Sequence, residues 1–297
     1  MAGLAAPDLR LGILGATSLV GTKLLSRLAS TGQQETREVH AFSRQAGRSS
    51  KSEVWHQLGQ ADSSPGKPVI PFWLSLAPIW VLPDYFDFLL TKGARRIVAL
   101  SSTSRFTKAD AKDPADRQLA NKLAAAEEEL ASWAESNGID WIILRPTMIY
   151  GGGHDQNISR IARLIHRFGF FPVFGPAQGR RQPVHVDDVA KACLAALETS
   201  STKNMAMNIS GAEVLSYTEM VSRVFRAMNR SPRIVRIPAV VFKAALVVSG
   251  LIPGFRKLSF GMIERMNQDL VFDHQQASEA LDFTPRKFVL GRDDLPR

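Results

Sequence analysis

The segment LGILGATSLVGTKLLSRL, residues 11–28, constrains this chain more than any other. An apolar run, 11–14, ends at Gly15, and residues 22–29 follow with Leu24, Leu25 and Leu28 on one side of a helix. A strand that enters a helix through a glycine turn aims backbone N–H groups and a positive helix end at an anion. Two stricter anion fingerprints fail. A P-loop needs four residues between its glycines and then Lys-Ser/Thr, whereas five residues separate Gly15 from Gly21 and Thr22 precedes Lys23. The G-x-G-x-x-G pattern also fails, because Gly12, Gly15 and Gly21 stand three and six apart.

Apolar runs and helical patterns then alternate through the first two-thirds of the chain, the rhythm of a parallel sheet covered by helices. Strands are expected at 39–42, 72–77, 96–100 and 141–144, and helices near 85–90 and 115–137. Residues 45–70 are polar and Gly/Pro-punctuated, with a weak strand at 54–56, so a third βα unit is expected to be shortened or lost. Beyond Tyr150 come a glycine loop and a helix over 157–168, with Ile158, Ile161, Ile165 and Phe168 inward. Two short strands around a glycine turn are expected in PVFGPAQGRRQPVHV. A helix at 185–197 is led by Asp187 and Asp188, a strand covers 205–209, and Ser216 with Glu219 forms a capping box for a helix over 217–229.

The turn Gly15-Ala16-Thr17-Ser18-Leu19-Val20-Gly21 resembles the G-A-T-G-F-V-G turn of the short-chain dehydrogenase/reductase superfamily. The resemblance continues in IVALSSTS (97–104), GIDWIILRPTMIYGGG (138–153), RRQPVHVDDVAKACLAAL (180–197) and NISGAEVLSYTEMV (208–221), in the order of the extended and atypical subgroups. It implies an α/β fold with a doubly wound parallel Rossmann-type sheet and a smaller C-terminal substrate region. Residues 1–150 would form the dinucleotide-binding domain, with 183–210 returning to the sheet, and 151–182 with 211–297 the substrate region.

By this resemblance the cofactor contacts are Gly15, Thr17, Ser18, Leu19, Val20, Gly21, Ser43, Arg44, Ala77, Pro78, Ser101, Ser102 and Pro146. Ser18 replaces a glycine. A left-handed serine would cost on the order of 1 kcal/mol, and its hydroxyl can itself donate to a phosphate. After the second strand, an acidic residue would grip the ribose 2′-hydroxyl of NAD. Ser43 and Arg44 stand there instead, with Arg48 nearby, and they favour NADP over NAD.

The family's Tyr-x-x-x-Lys pair, which transfers the proton, is missing. The tyrosines are Tyr85, Tyr150 and Tyr217, and none lies between Ser101 and Arg145. Gln118 stands four residues before Lys122; counted back from Arg145, the two positions fall near Leu119 and Leu123. Thr103, with Lys122, is the candidate to carry the proton. Asn157 and Arg181 match substrate-side positions, while Met148 replaces an asparagine that touches nucleotide sugars. His185 is read as a buttress of the fold, and no metal site is expected.

These residues imply an epimerase, dehydratase or reductase acting on a nucleotide-sugar-like or other phosphorylated substrate. Two alternatives stay open: a non-catalytic NADP(H)-binding sensor or assembly partner, and a reductase of an apolar carbonyl or quinone. Net charge is +9, but no run of five basic residues or aromatic interleaving points to nucleic acid, and a small polyanion explains the charge as well. The apolar stretch 237–255 is interrupted by Lys243, Gly250 and two prolines, which argues against a membrane span and leaves a buried helix or a helix resting on a membrane surface. A lone Cys193 and the lack of a secretory signal at the N-terminus point to the cytoplasm.

Overall fold

The computed structural model describes residues 10–31, 37–44, 53–58, 68–238 and 265–296. Arg48 and most of the apolar stretch 237–255 lie outside the described residues.

Seven strands form one sheet, each pair parallel, in the spatial order β11-β6-β5-β4-β1-β2-β3. They are β1 (Leu11–Leu14), β2 (Val39–Ser43), β3 (Glu53–Gln57), β4 (Phe72–Ser75), β5 (Arg96–Leu100), β6 (Asp140–Pro146) and β11 (Met205–Ile209). This is the doubly wound Rossmann-type fold. The chain reverses direction across the sheet between β1 and β4, and ligands of such sheets bind outside the strand C-termini at that reversal. The 54–56 expectation was too weak, since β3 is a full edge strand beside β2.

Helices α1 (Leu19–Ser30) and α6 (Val186–Glu198) cover one face of the sheet. The other face is covered by a 3-10 turn (Ile79–Tyr85), α2 (Phe86–Thr91) and the long α4 (Pro114–Ser136). A short α3 (Ser104–Thr107) follows β5. The local sequence sets these boundaries. Asp113 caps α4 by accepting from the Ala115 amide at 2.9 Å, Pro114 opens its first turn, and Gly138 leaves it at φ 66°.

A third apolar cluster lies in the C-terminal part, between α5 (Ile158–Phe168), α7 (Tyr217–Ala227) and the strands β8 (Phe171–Phe174) and β13 (Ile234–Ile237). Here three expectations change. Phe168 points outward, 52% exposed, because it sits at the last position of α5, where the inward stripe has already ended at Ile165. The stretch 171–185 holds three strands that pair with distant partners: β8 with β13, β9 (Arg180–Arg181) with β12 (Leu215–Ser216), and β10 (Val184–His185) with β7 (Ile149–Tyr150). Ser216 does cap α7 through the Glu219 amide at 3.1 Å, but the Glu219 carboxylate turns to Arg223 and Arg226, so only half of the expected box forms.

Candidate active site

The turn after β1 is built around Gly15. Its φ is +78°, and a Cβ there would stand 2.5 Å from the Ala77 nitrogen, so any side chain would push β1 and β4 apart. Gly21 faces the same turn from α1, where a Cβ would meet the Gly15 carbonyl oxygen at 2.5 Å. Ser18 carries neither constraint. Its φ is −67° and ψ 165°, an extended conformation any residue adopts, so the expected left-handed penalty does not arise. The serine is instead the N-cap of α1, its Oγ accepting from the Gly21 amide at 3.0 Å. That bond uses an oxygen lone pair and leaves the hydroxyl proton available to an anion. Among the described residues the Thr17, Leu19 and Val20 amides have no acceptor. These three N–H groups, the Ser18 hydroxyl and the positive end of α1 fit a pyrophosphate.

Gly15, Thr17, Ser18, Ser43, Arg44, Ala77 and Pro78 line one cleft of about 670 Å³, closed on its far side by Trp80 and Tyr85. Ser43 is buried and Arg44 exposed at the C-terminal end of β2, and among the described residues no carboxylate lines the cleft. Leu19 opens onto a second cleft of about 570 Å³, which Ser102, Thr103, Met148, Asn157 and Arg181 also line. Three expected contacts lie elsewhere, and a fourth, Val20, reaches the turn only through its backbone. Val20 packs its side chain into the core and offers only its amide, and Gly21 spends its amide on the Ser18 cap. Ser101 turns away to donate to Glu127. Pro146 is buried, its carbonyl accepting from Thr103.

Neither of the two candidate pairs of positions on α4 presents a polar side chain to the clefts. On α4, Leu123 is buried in the core and Leu119 packs beside it, whereas Gln118 and Lys122 are exposed and line neither cleft. Lys122 is therefore displaced from the catalytic role expected of it. Successive helix residues are rotated by about 100°, so a lysine beside the inward row faces water. One turn beyond Leu123, the buried Glu127 carboxylate binds Arg105 and, at 2.6 and 2.9 Å, Arg145. Thr103 does line the second cleft, but its hydroxyl donates to the Pro146 carbonyl at 3.2 Å.

Sequence reading missed Tyr217 in this cleft, because it appeared as the first residue of a helix. The phenol ring lies under the Arg181 guanidinium at 5.3 Å, and its hydroxyl has no hydrogen-bond partner among the described residues. Burial pushes its pKa up to about 12 against the opposing pull of Arg181. Arg181 itself is 4% exposed and donates to the carbonyls of Arg180, Gln268 and Arg265. Burial lowers its pKa to about 10, so it keeps its charge at neutral pH. At the cleft mouth Asp116 is shared by Lys108 and Arg265, two cations to one carboxylate. Asp155, also missed, accepts from the Asn157, Ile158 and Ser159 amides and holds the start of α5 and the exposed Asn157. His185 caps α6 through Nδ1 and meets Asp294 through Nε2 at 3.0 Å. Among the described residues no group of His, Cys, Asp or Glu is disposed to hold a metal.

A Rossmann-type sheet with an anion-ready first turn and a second cleft beyond it is the architecture on which dinucleotide-binding sites are built. Residues 85–210, less than half of the chain, match the model of the NAD dependent epimerase/dehydratase family. It is 29% identical over 182 residues to NADH dehydrogenase [ubiquinone] 1 alpha subcomplex subunit 9, mitochondrial, of Arabidopsis thaliana, covering 58% of this chain and 44% of that one. It is 23% identical over 163 residues to the UDP-glucose 4-epimerase of Vibrio cholerae, covering 54% and 46%. The chain thus spans about half the length of the curated relatives it matches. Among solved structures, UDP-glucuronic acid 4-epimerase from Bacillus cereus in complex with NAD superposes with a TM-score of 0.69 at 15% identity, over 96% of this chain and 95% of the other. MoeE5 in complex with UDP-glucuronic acid and NAD gives 0.69 at 21%, over 96% and 95%.

Proposed function

We propose that this chain binds NADP(H) in the first cleft and acts on a nucleotide-sugar-like or other phosphorylated small molecule in the second. The observation that carries the reading is the shared boundary of the two clefts at the start of α1, with Thr17 and Ser18 on one and Leu19 on the other. The cofactor, when bound, supplies a hydride acceptor or donor. The chain's own residues do the rest. The α1 amides and the Ser18 hydroxyl hold the pyrophosphate, and Ser43 with Arg44 receives the adenosine 2′-phosphate. Arg181, Lys108, Arg265 and Asn157 draw and orient an anionic substrate. Tyr217, protonated throughout the neutral range, holds a proton at its hydroxyl toward the substrate in place of the missing tyrosine of α4. Thr103, fixed by the Pro146 carbonyl, orients the same end of the cleft.

A second reading is favoured by Leu119 and Leu123, whose apolar side chains stand where a proton-transfer pair would be: a sensor or assembly partner that holds NADP(H) without turnover. A screen of nucleotide sugars and carbonyl compounds for NADPH oxidation or epimerisation separates the two. Turnover of any of them, reduced at least tenfold by Tyr217→Phe, supports the enzyme. Tight cofactor binding with no turnover supports the sensor. The buried Cys193 fits a cytoplasmic setting for either.

A further inference from the structure

The C-terminal end of α5, the start of β8, the start of β13 and the end of α7 converge on one exposed face. Arg230 ties them together, its guanidinium donating to the Ile165 carbonyl at 2.9 Å, while the Phe171 amide donates to the Arg233 carbonyl at 2.9 Å. This face is basic and apolar at once. Arg160, Arg163, Arg167, Arg233 and Arg236 are exposed and have no ion-pair partner among the described residues. No Asp or Glu occurs from 157 to 174 or from 220 to 238. Among these charges stand Phe168, 52% exposed, and Phe170, 40% exposed, with ring centroids 6.2 Å apart, and Val235, 46% exposed and paired with Pro172. The Arg167 guanidinium lies over the Phe168 ring at 5.2 Å from its centroid, so charge and aromatic surface adjoin on this face.

Five unpartnered arginines would spread apart in water; nothing in the fold requires them on one face. An exposed aromatic pair has the same difficulty, since no described residue buries it. A partner that satisfies both is anionic at its surface and apolar a few ångströms below. We infer that this face is a docking surface for an anionic lipid bilayer, with the arginines at the headgroups and Phe168, Phe170 and Val235 at the acyl boundary. A nucleic acid would use the charges, but the ring of Phe168 is already covered by Arg167, and the face presents no pair of free ring faces for base stacking. Among the described residues no helix is long and apolar enough to cross a membrane, so the contact is peripheral. Asn157, at the start of α5, lines the second cleft, so one end of the face lies beside it.

The test is co-sedimentation of the full chain with vesicles of phosphatidylcholine alone and of phosphatidylcholine containing about a third phosphatidylglycerol, at two salt concentrations. The expected result is retention on the anionic vesicles only, weakened by salt. Arg163→Ala and Arg167→Ala should each lower the partition coefficient about fivefold. Phe168→Ser with Phe170→Ser should remove the part of the binding that survives high salt. A control, Lys191→Ala with Lys203→Ala, should bind like the parent, and melting curves confirm that each variant is folded. Absence of binding, equal retention on neutral vesicles, or equal losses in the control would overturn the inference. So would a single-stranded oligonucleotide that binds more tightly than the vesicles and depends on the same arginines.

Discussion

The Arg145 guanidinium donates twice to one oxygen of Glu127, Nε at 2.9 Å and Nη2 at 2.6 Å. Arg105 and Ser101 donate to the same carboxylate, so one buried acid ties the long helix to the ends of β5 and β6. These ends form the floor of the second cleft. Glu127→Ala would leave two guanidinium groups without their counter-charge, and breaking a buried pair costs about 3–5 kcal/mol. The partly exposed arginines place the loss at the lower end. Chemical denaturation should therefore show about 3 kcal/mol lost for Glu127→Ala and less for Glu127→Gln.

Ser18 should prove replaceable in one direction only. Because its backbone is extended and its hydroxyl caps α1, Ser18→Ala should cost about 1 kcal/mol and Ser18→Gly only a few tenths. Nucleotide binding should survive Ser18→Gly, as measured by titration.

Much of this was legible in the sequence, and the misses share a cause. Gly15 and Gly21 could be read because their demands are local: a positive φ at one, a tight turn against α1 at the other. Gly12 falls outside the turn pattern by its spacing, and it makes room for the Trp73 ring from the next strand. Glu127 is one of three consecutive glutamates, and nothing in the sequence singles it out. Only the fold brings Arg105 and Arg145 to it, from 22 and 18 residues away. Tyr217 is similar, since its place under Arg181 depends on the pairing of β9 with β12. In 171–185 the sequence marks two strands where three form, and it names none of their partners, because hydrophobic alternation marks a strand without naming its neighbour.

The proposed preference for NADP(H) over NAD(H) rests on Arg44. A charge-assisted hydrogen bond contributes about 1.5–3 kcal/mol. Arg44→Asp should thus weaken NADPH about tenfold or more while leaving NADH nearly unchanged. Fluorescence titration of both nucleotides checks this, and an unchanged affinity ratio would remove Arg44 from the site.

Tyr217→Phe should lower turnover about 10²–10⁴-fold, the usual cost of losing a general acid, with cofactor affinity unaltered. Steady-state kinetics with the substrate found in the screen, alongside nucleotide titration, separates this from a loss of binding. With a phenol pKa near 12, the rate of the parent should show no tyrosine ionisation below neutral pH.

His40 should make stability depend on pH. It is buried beside His56, with Nδ1 and Nε2 2.9 Å apart, and burial lowers its pKa from the ordinary 6.5. The unfolded chain then binds the proton more readily than the folded one. The contribution is complete above pH 6.5 and is lost as pH falls below it. Melting temperature should decline between pH 7 and 5.5, and less steeply in His40→Asn.

The most direct measurement is a titration of the full chain with NADPH and NADH, followed by the fluorescence of the nucleotide. Saturable binding of both, with NADPH the tighter, is expected if the α1 amides and the Ser18 hydroxyl hold a pyrophosphate. No saturation by either dinucleotide up to millimolar concentration would contradict it.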